Sequence, residues 1–172
     1  IVDSENEMYE AFGALERGVQ RLLDGGIEIA AVAGNHGHDA FPRLLRGINA
    51  DGFNMLGPGG TWEEAQVDPE SGETVRFVGW SFPQPTVLSS PLDDLEIAET
   101  DEPTIGVLHC EAGSGEGQYA PVRRDALARF PVDAWLLGHI HAPNDHREAG
   151  QSQLYPGSLQ PLDPGEPGTH GA

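Results

Sequence analysis

Three short apolar runs, residues 27–33 (IEIAAVA), 104–109 (TIGVLH) and 134–138 (AWLLG), give way almost at once to asparagine or histidine. Runs of this length, apolar on both faces, read as strands buried in a parallel sheet. Asn35 and His36 follow the first run, His109 ends the second, and His139 and His141 follow the third. In such sheets ligands collect at the carboxyl ends of the strands. If the three strands are neighbours in one sheet, four of the seven histidines converge on one edge. The fold class expected is therefore α/β.

The remaining sequence fits that class. Ser4-Glu5-Asn6-Glu7 is a capping-box pattern, and Met8, Phe12, Leu15, Val19, Leu22 and Leu23 then recur at helical spacing until Gly25-Gly26 stops the run. A short helix is expected over 40–48. FNML (53–56) reads as a strand, and TWEEAQV and TVRFVGWSF flank a DPESGE turn as a β-hairpin. Residues 83–103 read as a loop, EAGSGEG as a second loop, PVRRDALARF as a helix and SQLYPGS as a last strand. No repeat or boundary divides the chain, so residues 1–172 are expected to be a single domain.

Composition excludes several functions. No apolar run approaches the roughly 18 residues of a membrane span. Cys110 is the only cysteine, which rules out an intrachain disulfide and a thiolate zinc cluster and points to a reducing cytoplasm. The chain carries 28 acidic residues against nine arginines and no lysine, for a net charge of −19. Such a surface repels polyanions and does not by itself attract DNA or an anionic membrane. Arg43, Arg46, Arg123 and Arg124 are the local candidates for phosphate contact.

The sharpest motif is Gly138-His139-Ile140-His141. Residues two apart on an extended chain point to the same side, about 6.6–6.8 Å apart. Paired metal ions in phosphoryl-transfer sites sit about 3.5–4 Å apart, so each histidine can address one ion. Imidazole nitrogens with an amide oxygen suit Mn²⁺, Fe²⁺ or Zn²⁺ better than Mg²⁺ or Ca²⁺. A pair of such ions polarises a phosphate and lowers the pKa of a bridging water.

GNH after one strand, VLH ending another and GHIH after a third resemble, in order, the motif series of the calcineurin-like metallophosphoesterases. The resemblance implies a four-layer αββα sandwich with a dinuclear metal centre. Asn35, His109 and His139 resemble the ligands of one ion and His141 a ligand of the other. His36 resembles the histidine that contacts the phosphate and assists the leaving group. The tail, LYPGSLQPLDPGEPGTHGA, is similar to the segment after the last metal motif in SbcD-type DNA double-strand-break repair exonucleases. That implies a nucleic acid substrate, phosphodiester hydrolysis and an ATPase partner subunit. A phosphoesterase for small nucleotides or phosphoproteins, and a degenerate non-catalytic member, are the alternatives.

The chain departs from the pattern in three places. Asp-x-His and Gly-Asp, which supplies the carboxylate bridging both ions, are absent. The expectation is that the 172 residues are N-terminally truncated, lack strands at the sheet edge, and are inactive and weakly metallated as they stand. The open edge is expected either to pair with a second copy, a homodimer, or to leave the fragment less stable than the whole protein. Gly37 replaces the acidic residue that usually follows Asn-His, and Asp39 is the nearest substitute for orienting His36. His38 is a possible extra ligand.

Overall fold

The computed structural model describes residues 5–45, 51–69, 72–161, 164–166 and 168. The expected Ser4 cap, the end of the 40–48 helix and the tip of the DPESGE turn lie outside the described residues.

Helix α1 spans Glu5–Asp24. Its end is a Schellman turn: Ile27 N–H donates to Leu22 O at 2.9 Å and Gly26 N–H to Leu23 O at 2.9 Å, with Gly26 at φ +73°. That backbone position is why glycine ends the helix here. Strand β1 (Ile29–Ala31), helix α2 (Ala40–Leu45) and strand β2 (Phe53–Met55) follow. β1 and β2 pair in parallel, with Ile29 opposite Phe53. Leu15 of α1 packs with Ala31, Ala33, Phe41, Phe53 and Met55, joining both helices to this small sheet.

The other strands are β3 (Trp62–Val67), β4 (Val75–Trp80), β5 (Thr104–His109), β6 (Glu111–Gly113), β7 (Pro121–Arg123), β8 (Ala134–Gly138), β9 (Asn144–Glu148) and β10 (Gln151–Tyr155), with helix α3 at Arg124–Leu127. Six of them form one sheet in the order β3-β4-β5-β8-β10-β9. Its four central strands are parallel, and β3 and β9 are antiparallel edges. The expected hairpin is β3–β4.

Alternation along β5 sets the two faces of this sheet. Thr104, Gly106 and Leu108 are buried on one face, while Ile105, Val107 and His109 are half-buried on the other. On the first face Trp135, opposite Gly106, is fully buried beside Leu108, Leu127, Leu137 and Tyr155. A Cβ at Gly106 would stand 2.2 Å from the Trp135 ring, so only glycine leaves room for the indole. Trp135 also donates its indole N–H to Leu127 O at 3.3 Å, tying α3 to the sheet.

The second face meets the small sheet, and here one expectation is corrected. The three histidine-bearing strands do not share a sheet: β5 and β8 are neighbours, but β1 belongs to the two-stranded sheet. Their ends still converge because the two sheets touch at Gly79 of β4. A Cβ there would lie 2.7 Å from the Leu56 side chain and 2.9 Å from that of Val32. The buried Ser81 hydroxyl joins the sheets, donating to Leu56 O at 2.6 Å and accepting from Ala33 N–H at 2.9 Å. Ala33 O accepts from Phe82 N–H at 3.0 Å. The 27–33 strand is thus shorter than expected, because its last residues leave β2 and bond to the larger sheet.

Three smaller corrections have local causes. The EAGSGEG loop contains β6, and PVRRDALARF begins as β7, paired in parallel with β6, before α3 starts. β9, unforeseen, forms a hairpin with β10 through Ala149 at φ +51° and Gly150 at φ +88°. Strands of three residues are too short to show alternation, and Ala-Gly is not the usual residue pair for this turn. Residues 83–103 are mostly loop with one 3-10 turn, Pro91–Asp94, whose Leu92 joins the core.

Ser81→Ala leaves a buried N–H and a buried carbonyl without their shared partner, and each such loss costs about 1–3 kcal/mol. The expected result is a lower urea midpoint at unchanged slope. A midpoint equal to that of the parent protein contradicts the role of Ser81 as the join between sheets.

Candidate metal centre

Half-buried His109 is the centre of the site. Its ring lies against two glycines. A Cβ at Gly34 would fall 2.5 Å from its Cε1, and one at Gly138 would fall 2.8 Å from its Nδ1. The glycines that open GNH and GHIH therefore share one purpose, to let this imidazole pass between two backbones. Phe82 packs its ring edge-on at a centroid distance of 5.5 Å. His109 Nε2 donates to Asn35 Oδ1 at 2.8 Å, and Asn35 is buried.

Burial lowers the pKa of His109 from 6.5 to about 3, with the neighbouring His139, His36 and His141 acting in the same direction. At neutral pH the ring is uncharged; with Nε2 donating to Asn35 the lone pair is on Nδ1, so the proton must move to Nδ1 before Nε2 can bind a metal.

His139 follows β8 with φ +97°, a backbone conformation that costs a β-carbon-bearing residue energy and persists only where its surroundings fix it. Its ring lies 5.3 Å from that of His109 and 5.0 Å from that of Tyr119, centroid to centroid. Its Nε2 faces Glu111 Oε1 at 3.5 Å. Burial lowers its pKa and the Glu111 carboxylate opposes that shift. His141 is more open, and its Nδ1 contacts Glu166 Oε1 at 2.5 Å. Ser158 N–H donates to His141 O at 3.0 Å, and Gly157, at φ +82°, lies so close that a Cβ would stand 2.8 Å from the same oxygen. The Tyr-Pro-Gly-Ser stretch thus rests on the second histidine of the motif.

A cleft of about 580 Å³ opens beside these residues, lined by Asn35, His36, His109 and His141 at one end and by Val32, Val107 and Leu136 along its wall. His36 is exposed at its rim. Asn35, His36, His109, His139 and His141 thus gather where β1, β5 and β8 end. Asp39 is engaged elsewhere, paired with Arg43 at 2.9 Å in an exposed contact. His38 turns its Nδ1 onto Asn35 O at 3.0 Å, bracing the loop. At Gly37 a Cβ would meet only the Phe41 Cβ at 3.4 Å, so the fold leaves room there for a larger residue.

The donor set fits part of a metal centre. Donor atoms each about 2.1 Å from one ion and at right angles stand about 3 Å apart, close to the Asn35–His109 spacing. Among the described residues, however, no three His, Cys, Asp or Glu side chains are grouped closely enough to hold an ion. An ion held here would need the Asn35 amide and a further ligand beside the histidines. Three residues that sequence reasoning missed support the histidines: Glu111, Tyr119 and Glu166. None had a signal, since Glu111 sits in a stretch read as loop and Glu166 in a turn.

The depressed His109 pKa makes stability depend on pH. Between pH 6.5 and about 3 the unfolded state binds the proton that the native ring refuses. In metal-stripped protein the stabilisation is complete above pH 6.5 and lost as pH falls toward 3. The urea midpoint of the parent relative to His109→Gln is expected to fall across that window, and a pH-independent difference contradicts it.

No family model matches the chain. Over 165 residues it is 27% identical to YhaO of Bacillus subtilis (strain 168), described as an uncharacterized metallophosphoesterase. The match covers 93% of this chain and 39% of that protein, so the chain spans well under half of the relative's length. Among the described residues no helix is long and apolar enough to cross a membrane. With a mixed α/β fold and histidines gathered at its strand ends, the chain is similar, over nearly all its length, to a metallophosphoesterase.

Proposed function

We propose that this chain is the catalytic part of a metal-dependent phosphodiester hydrolase of the DNA-repair exonuclease type, working with two divalent ions, Mn²⁺ before Fe²⁺ or Zn²⁺. The observation that carries the reading is the convergence of Asn35 and His109 at 2.8 Å, with the His139 ring set edge-on to that of His109. Asn35, His109 and His139 would hold one ion and His141 the other. Bound there, the ions polarise the phosphate and activate water. Exposed His36 stands at the rim of the cleft, where it can meet the phosphate and protonate the leaving oxygen. Asp39 keeps a proposed role in orienting His36, in exchange with its partner Arg43.

The remaining ligands would come from further strands of a longer protein, such as the relative of which this chain covers 39%. Among the described residues β1 pairs only with β2, and Leu136, beside Val107 on the cleft wall, is exposed. Strands bearing Asp-x-His and Gly-Asp, laid along that edge, would complete a four-layer sandwich and supply the bridging carboxylate. We read residues 1–172 as one domain of such a protein, inactive by itself and prone to pair with a second copy.

The narrower, exonuclease part of the reading rests on the tail, whose Gly157 and Ser158 pack on His141. Arg43 and Arg123 bond to Asp39 and Asp125, and Arg124 lies over the Tyr155 ring. Arg46 lies outside the described residues. A nucleic acid substrate would therefore be gripped largely by other parts of the protein or by an ATPase partner subunit. The net charge of −19 favours a second reading, a phosphoesterase for small nucleotides or phosphoproteins in the cytoplasm.

The test is hydrolysis by the full-length protein with Mn²⁺, on linear duplex DNA, bis-p-nitrophenyl phosphate, cyclic nucleotides and a phosphopeptide. The expected result is degradation of DNA ends, with kcat lowered about 10²–10⁴-fold in His36→Ala and no turnover by residues 1–172 alone. Turnover of small esters only supports the second reading. No turnover of any substrate identifies a non-catalytic member.

A further inference from the structure

The loop after β5 closes on His139. Glu111 N–H donates to Tyr119 O at 3.0 Å, starting a turn that brings residues 117–119 back over the Glu111 side chain. Glu111 Oε2 accepts from Gln118 N–H at 2.9 Å and from Tyr119 N–H at 3.4 Å. The fit leaves no slack, for a Cβ at Gly117 would stand 1.7 Å from Oε2. With one oxygen held by backbone donors, the other, Oε1, is left facing His139 Nε2 at 3.5 Å. The ring of Tyr119, from the same turn, covers the imidazole.

His139 needs such support. Its φ of +97° is strained, and a side chain on strained backbone takes one orientation only where contacts over-determine it. Three of them do so here: His109, Tyr119 and Glu111.

We propose that Glu111 is a positioning residue, whose carboxylate, clamped by the 117–119 turn, holds His139 in the tautomer protonated at Nε2. The other ring nitrogen, Nδ1, then keeps its lone pair for an ion. The proposal rests on the metal-centre reading only for that last clause. Carboxylates bonded to the far nitrogen of a ligating histidine fix its tautomer and orientation, and their loss typically lowers metal affinity about 10–100-fold.

Glu111→Gln isolates the effect, because an amide oxygen still accepts from Gln118 and Tyr119. The amide NH₂ then faces His139 Nε2, where a second donor is rejected and the ring must turn over its tautomer. The experiment uses full-length protein labelled with ¹⁵N-histidine. Long-range ¹H–¹⁵N spectra of the metal-free form read the tautomer, and calorimetry with Mn²⁺ reads affinity. The parent is expected to show His139 protonated at Nε2, and Glu111→Gln to show it protonated at Nδ1 with Mn²⁺ bound about 10–100-fold more weakly. The same tautomer in both proteins, or equal Mn²⁺ affinity, overturns the proposal. If Glu111→Gln fails to fold, Gly117→Ala displaces the same carboxylate without removing it and is expected to shift the His139 Nε2–H resonance and weaken Mn²⁺ binding; observing neither change overturns the proposal. If the parent binds no Mn²⁺, the metal reading fails, while the spectra still decide whether Glu111 sets the tautomer.

Discussion

The passage of the His109 imidazole between the backbones of Gly34 and Gly138 is the contact on which the site depends. It joins the loop after β1 to the ends of β5 and β8, three elements drawn from two sheets. No side chain larger than hydrogen fits at either glycine without moving the ring. The consequences run outward: Asn35 meets His109 at 2.8 Å, His139 meets its ring edge-on, and burial keeps the ring neutral at physiological pH. The contact depends on the sheets being joined a few residues away, where Ser81, just past β4, bonds to the chain that follows β1 and β2.

Electrostatics and polarity divide the molecule. The surface is strongly acidic, yet the cleft wall is apolar and its end carries imidazoles and an amide. Two carboxylates near the site, Glu111 and Glu166, face histidine nitrogens. Carboxylates placed in this way can fix the orientation and tautomer of the imidazoles they face.

Much of this was legible in the sequence. Strands β5 and β8 are apolar runs ended by histidine, and α1 shows helical spacing with a glycine stop, so type and boundary follow from residue pattern. The convergence of Asn35, His109, His139 and His141 follows from the rule that sites form at strand ends. That β1 leaves the sheet of β5 and β8 to pair with β2 was not legible, because β1 and β2 are three residues long and their partner choice is decided by tertiary contacts at Gly79 and Ser81. Nor were the roles of the glycines, since a close approach by a ring 75 residues away leaves no local signal at Gly34. Glu111 was missed for the same reason: its meaning comes from a turn that folds back eight residues later.

The central claim is that His109 and Asn35 turn their donor atoms to one divalent ion. Pulsed electron paramagnetic resonance on the full-length protein loaded with Mn²⁺ tests it directly. The account predicts imidazole nitrogen couplings to the ion that are reduced in His109→Ala. Couplings identical in the two proteins, or a spectrum of fully hydrated Mn²⁺ in the parent, would contradict it.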